Sequence, residues 1–230
     1  MDFAAALKRD RALVLDGATG TMVQALGLGD AAFGGPDYKM LVDLLNFSLP
    51  EAMRDIHLAF YRAGADAVET NTFGASAFRL AEYDFSGLDL SQWTANPHGV
   101  DPRRLSHDEL AYWLSRRGAE IAAGARDLHR RDRAFDGRPL FVVGSMGPSN
   151  RVISNTRATL RRATFDEVRA NFRRQALGLL DGGVDAFLYE TQQDILEVKA
   201  AVMGGFDAMA ERGRRVPVMA QVTVDQFARM

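Results

Sequence analysis

Three carboxylates in this chain stand where an apolar run ends. Asp16 follows Ala12-Leu13-Val14-Leu15, Glu69 follows Ala67-Val68, and Glu190 follows Ala186-Phe187-Leu188-Tyr189. A carboxylate at the end of a buried strand is costly to desolvate unless something pairs with it. Grouped in one place, the three could bind a substrate ammonium, hold a divalent cation, or serve as acid and base. For each alone, pairing with an Arg or with backbone amides is the structural alternative.

Small donors surround them. Asp16-Gly17-Ala18-Thr19-Gly20-Thr21 joins a carboxylate to glycines that let backbone approach a ligand closely. It is neither a Gly-x-Gly-x-x-Gly fingerprint nor a Walker loop, since no Lys-Ser/Thr follows. Glu69-Thr70-Asn71-Thr72-Phe73 ends a strand in polar residues instead of a turn. Gly144 to Arg151 offers Ser145, Asn150 and Arg151 as donors, with a plain turn as the alternative. His57, between Ile56 and Leu58, reads as a helix-packing residue, and His98, His107 and His129 show no metal-ligand spacing. Met40 and the Met residues of 203–209 read as core filler.

These residues need elements that bring strand ends together. Residues 12–16 form a first apolar strand, and 22–49 read mostly as loop, broken by Gly27, Gly29, Gly34, Gly35 and Pro36. Pro50 suits the first turn of a helix running to Ala63, with Met53, Ile56 and Phe60 apolar. Gly64-Ala65-Asp66 then leads into a second strand over 67–71. Residues 86–139 read as a polar insertion or long loop around a helix from Asp108 to about His129. A third strand covers 140–146. Thr164-Phe165-Asp166-Glu167 is a capping box that opens a helix to about Leu180. Gly182-Gly183-Val184-Asp185 repeats the small-residue entry into a fourth strand, 186–190. A helix from Asp194 to Arg212 and a fifth strand over 217–224 complete the order. Continuous apolar strands alternating with helices argue a parallel sheet covered by helices, either open and doubly wound or the first part of an eight-fold barrel. Such folds collect ligands at the C-terminal ends of their strands.

At 230 residues and 47% hydrophobic, the chain can bury the core of one domain. A net charge of −2 gives no support to a nucleic-acid partner. No apolar run approaches a membrane span, and residues 1–10 lack the apolar core of a signal peptide, so a cytoplasmic protein is expected. With no Cys, disulfide and thiolate chemistry are absent from this stretch.

Several ordered motifs together resemble the homocysteine-binding domain of cobalamin-dependent methionine synthases. They are Leu15-Asp16-Gly17-Ala18-Thr19-Gly20-Thr21-Met22, Leu44-Leu45-Asn46 before Pro50, Glu69-Thr70-Asn71-Thr72-Phe73, Gly147-Pro148-Ser149-Asn150-Arg151, Tyr189-Glu190-Thr191, and Gln221-Val222-Thr223-Val224 ending in Arg229-Met230. The resemblance implies an α/β fold, a parallel (β/α)8 TIM-type barrel, of which only about the first five βα units are present. It implies homocysteine as substrate, zinc held by Cys thiolates, and a methyl group delivered by methylcobalamin on another module. Glu190 matches the acid that contacts the substrate ammonium. Asp16, Gly17 and Thr19 match the other side of the pocket, and Asn71, Thr72 and Phe73 its wall. Glu69, Ser145 and Asn150 are the remaining candidate contacts. The family's zinc Cys follow later strands, and none occurs here, so the chain is expected to be an incomplete portion, a split product or a degenerate homologue. Expected partners are homocysteine and folate- and cobalamin-binding modules or a completing C-terminal chain. Alternatives are a cobalamin-independent homocysteine methyltransferase and a non-catalytic remnant that binds an amino acid or a partner.

Overall fold

The computed structural model of this protein describes residues 1–9, 11–93, 96–154 and 161–224. Arg229 and Met230, part of the motif over the fifth strand, lie outside them. The chain opens with short helices α1 (Phe3–Leu7) and α2 (Thr19–Ala25), and a further turn α3 (Leu45–Ser48) precedes α4 (Pro50–Ala63). Strand β1 (Ala67–Glu69) is followed by α5 (Ala77–Leu80), α6 (His107–His129) and β2 (Phe141–Met146). The two-residue strands β3 (Arg151–Val152) and β4 (Arg161–Arg162) pair with each other. Helix α7 (Phe165–Gly182), β5 (Ala186–Gln192), α8 (Ile195–Arg212) and β6 (Val218–Val222) complete the described elements. The main sheet is parallel throughout, in the order β1-β2-β5-β6.

Local signals explain the helix bounds. Pro50 occupies the first turn of α4, and Gly64, at φ 109°, accepts the left-handed turn that ends it. The Thr164–Glu167 capping box opens α7, with each side chain bonded to the other residue's backbone N–H. Asp194 caps α8 by accepting from Leu196 N at 2.8 Å. Along α7, Val168, Phe172, Ala176 and Leu179 are buried at helical spacing, so one stripe faces the sheet.

The strands divide their side chains by the period of two. Val68, Val142, Phe187 and Tyr189 face the helices. Ala67, Phe141, Val143, Ala186 and Leu188 face the other side, where Phe3 and Ala6 of α1 cover them. The repeated Asp entries have a shared purpose. Asp66 Oδ2 accepts from Val14 N at 2.9 Å, and Asp185 Oδ2 accepts from Val142 N at 2.8 Å. Each Asp thus satisfies a backbone N–H of the neighbouring segment, just before Leu15 in one case and at the second residue of β2 in the other, while Arg11 and Arg126 neutralise the carboxylates.

Several expectations are corrected. Residues 12–16 are not a full strand: only Leu15 bridges, to Ala67. Asp16 N donates to Ala67 O, but Glu69 N donates to the Asp16 carboxylate, so the next rung is a side-chain bond and the ladder ends. The second strand stops at Glu69, two residues short of expectation. Residues 22–49 are not mostly loop but a series of helical turns, with Leu44, Leu45, Asn46 and Phe47 fully buried. The helix expected within 86–139 runs from His107 to His129. Helix α6 packs between α4 and α7 and buries Leu110, Ala111, Leu114 and Ala119, so it belongs to the layer over the sheet.

Strand β6 pairs with β5 on one side and, among the described residues, with nothing on the other. Val222 lies 50% exposed, and Ile195, Met203 and Phe206 of the adjoining α8 are also exposed. An open strand edge beside apolar side chains is a template for pairing. The isolated chain is therefore expected to self-associate, seen as concentration-dependent mass in sedimentation. A monodisperse monomer with a sharp, cooperative melt would contradict this.

Candidate active site at the strand ends

The sheet brings the C-terminal ends of its strands to one cleft of about 520 Å³. Asp16 reaches it from the bridge residue's end, Glu69 from β1, Ser145 from β2 and Glu190 from β5. These four positions are neighbours because the strands are parallel and in register. Ser145 is held from both sides: its N–H donates to Thr70 Oγ1 at 3.0 Å, and its carbonyl accepts from Thr72 Oγ1 at 2.7 Å. Its hydroxyl donates to Glu190 Oε1.

The charge of Glu190 disfavours ionisation of both Glu69 and Asp16 at the same wall. Burial raises the Glu69 carboxyl to about 8, helped by the charges of Glu190 and Asp16. Burial raises Asp16 to about 7 against the lowering effect of the Glu69 N–H. Asp16 Oδ2 is buried without a hydrogen-bond partner. The basic side chain among the described residues lining the cleft is Arg79, which pairs with Glu82 at 3.2 Å. The wall therefore lacks an internal counter-charge. A cationic ligand group would supply it.

Of the ten residues expected at the site, Asp16, Gly17, Thr19, Glu69, Asn71, Phe73, Ser145 and Glu190 line the cleft. Thr72 and Asn150 do not. Thr72 lies behind the wall, tying Thr70 and Ser145 together. Asn150 spends its amide on Phe78 O and Glu82. Asn71 faces the cleft, yet its amide donates to Val42 O at 3.0 Å and Asn46 Oδ1 at 3.2 Å, which clamps the segment after β1 to the helical turns before α4. Phe73 is 45% exposed, with its ring seated where a Cβ on Gly147 would fall 2.7 Å away.

Sequence reasoning missed the outer half of the cleft, formed by Val42, Asp43, Gly74, Arg79 and Tyr83. Asp43 is buried, accepts from Gly74 N at 3.1 Å, and is raised to about 6 by burial. An acid within an apolar stretch, Leu41 to Leu45, was the available signal. Met40 is not core filler: it stands 85% exposed at the cleft rim, and Met203 is 41% exposed on α8. His57 is fully buried with both ring nitrogens unpartnered, and burial lowers it to about 4, so it packs as a neutral ring.

Zinc does not fit the residues present. Among the described residues no group of His, Cys, Asp and Glu has a metal-binding arrangement, and the cleft lining offers neither thiolate nor imidazole. Structural and catalytic zinc sites draw on those donors. After dialysis against a weak chelator, the chain is expected to retain substoichiometric zinc. One retained zinc per chain in elemental analysis would show a site built from oxygen donors.

Parallel βα units with carboxylates gathered at the strand ends are the arrangement in which α/β folds place their ligand sites. The homocysteine S-methyltransferase family matches residues 13–230, and the chain belongs to that family. It is 38% identical over 222 residues to methionine synthase of Mycobacterium tuberculosis (strain ATCC 25618 / H37Rv), and 36% identical over 225 residues to that of Mycobacterium leprae (strain TN). Each alignment covers 96% of this chain but only 16% of the relative's length. The homocysteine methyltransferase MmuM from Escherichia coli shares the fold. Its metallated form superposes with a TM-score of 0.66 at 23% identity, over 94% of this chain and 65% of that one. Its apo form gives 0.59 at 24% identity, over 96% and 63%. The chain thus forms a partial barrel. None of its described helices is long and apolar enough to cross a membrane.

Proposed function

We propose that this chain is the homocysteine-binding portion of a methionine synthase-type methyltransferase. The observation that carries the reading is the cleft wall of Asp16, Glu69 and Glu190, three carboxylates from separate strand ends without an internal counter-charge. The ammonium of homocysteine supplies that charge, and Ser145 holds the Glu190 carboxylate toward it. Gly17 and Thr19 close one side, while Phe73 and Met40 offer apolar surface where the sulfur-bearing side chain leaves the wall. The methyl group comes from a donor on another module, methylcobalamin by family likeness. Any sulfur-activating zinc requires ligands from outside these residues. A cytoplasmic location accompanies this reading.

Calorimetric titration tests it. L-homocysteine is expected to bind, whereas 4-mercaptobutyrate, which lacks the amino group, is expected to show no saturable heat. Equal affinity for the two would remove the ammonium from the recognition.

A further inference from the structure

Thr191 is the one non-glycine residue with positive φ among those described, at 59°. A β-branched side chain resists that region of backbone space, so its surroundings must hold it there. The cause is visible in the strand register. Tyr189 pairs with Ala220, yet the next pairing joins Gln192 to Val222, so three steps along β5 face two along β6. One extra residue sits in β5 immediately after Glu190, a bulge at the site's edge. The Thr191 side chain turns out to solvent, and the following Gln192 turns in and is fully buried.

Buried there, the Gln192 amide spans two strand ends. Nε2 donates to Glu190 O at 3.2 Å and to Met146 O at 3.4 Å, the last residue of β2. The Gln192 carbonyl accepts from Thr223 N at 2.7 Å, which pins the bulge to the chain after β6. Ser145, whose hydroxyl holds the Glu190 carboxylate, is the residue before Met146. Side-chain and backbone bonds thus join the same two strand ends from above and below.

We infer that Gln192, delivered by the left-handed bulge at Thr191, is a positioning residue that fixes Glu190 against Ser145 for ligand binding. Its Oε1 has no partner. An amide kept with an orphaned buried acceptor is a poor choice for stability alone. The inference rests on Glu190 taking the ligand ammonium.

A double-mutant cycle read by homocysteine titration tests it. Gln192→Leu removes both bonds together with the orphaned acceptor. It is expected to keep a cooperative melt while raising the homocysteine Kd about tenfold, as loss of a supporting shell does. In a Glu190→Gln background the same change is expected to alter Kd by less than about twofold, since the group it positions has lost its charge. Effects that simply multiply would overturn the positioning role while leaving the ammonium reading intact. A Glu190→Gln variant that binds homocysteine normally would overturn the ammonium reading itself, and the positioning role with it. Should Gln192→Leu fail to fold, Thr191→Gly enters the same cycle. It relieves the backbone strain and frees the bulge, so a higher Tm with weaker binding is expected, the binding loss again vanishing beside Glu190→Gln. Unchanged binding in Thr191→Gly would overturn the role of the bulge.

Discussion

Replacing Glu190 by Gln is expected to raise the homocysteine dissociation constant by about ten- to a hundredfold. A hydrogen bond to a charged group contributes roughly 1.5–3 kcal/mol, and each 1.4 kcal/mol is about a factor of ten in affinity. Gln preserves the shape and can still accept from the Ser145 hydroxyl, so the loss reports charge. The measurement is calorimetric titration of the purified chain, or of a longer protein that contains it. Proton competition adds a pH signature. Asp16 and Glu69 are held up to about 7 and about 8, so in the empty cleft they carry protons that an incoming ammonium must displace. Affinity is therefore expected to rise as pH climbs from about 6 to about 8, where these carboxyls ionise. His57→Gln is the control: that ring is buried on α4 outside the cleft wall, so the change is expected to alter stability and leave Kd in place. Unaltered binding by Glu190→Gln would return Glu190 to a structural carboxylate.

Gly178→Ala is expected to lower Tm by about 6–12 °C. A Cβ at this position of α7 would lie 2.2 Å from Tyr112 O and 3.0 Å from Arg116 N, both backbone atoms of α6. Backbone has no rotamer into which to retreat, so the helices must separate, at a cost of about 3 kcal/mol. For a domain of this size each kcal/mol shifts Tm by about 2–4 °C. Gly182 and Gly204 make comparable contacts, with Arg116 O at 2.5 Å and Arg169 O at 2.4 Å. The helical layer is therefore packed backbone to backbone through glycines. Gly124, on the exposed side of α6, has nothing within 4 Å of its virtual Cβ. Gly124→Ala is expected to stabilise by about 0.5–1 kcal/mol, as glycine in a helix interior costs that much relative to alanine. Equal thermal shifts for the two variants would mean that the close helix contact does not govern stability.

Helices with explicit punctuation were legible from residues alone. Pro50 and Gly64 bound α4, and Thr164, Glu167 and Gly183 bound α7, because capping is local chemistry. The three carboxylates were legible for a related reason: an acid directly after an apolar run is conspicuous. Asp43, Arg79 and Tyr83 were not. Their places depend on bonds between distant segments, Asp43 to Gly74 and Asn46 to the Asn71 carbonyl, which no periodicity encodes. The 107–129 helix was visible, but its membership of the main layer was not. That depends on Gly118 meeting Thr72 and Asn46 and on Gly178 admitting the α6 backbone. Residues 12–16 misled because an apolar run predicts burial, whereas hydrogen-bond partners decide whether a strand is completed.

From β1 onward the order of the main sheet follows the order of synthesis, and the separations between paired residues of its strands shrink. Ala67 meets Phe141 after 74 residues (141 minus 67), and Phe187 meets Val218 after 31 (218 minus 187). Loop-closure entropy grows with the logarithm of that length, so the first pairing costs about 0.8 kcal/mol more to close than the last. Among the four strands of the main sheet, the one that leaves the ribosome first is therefore the one that waits longest for its strand partner. Once β1 and β2 have met, every later βα unit joins an edge that already exists, by a shorter loop than the one before.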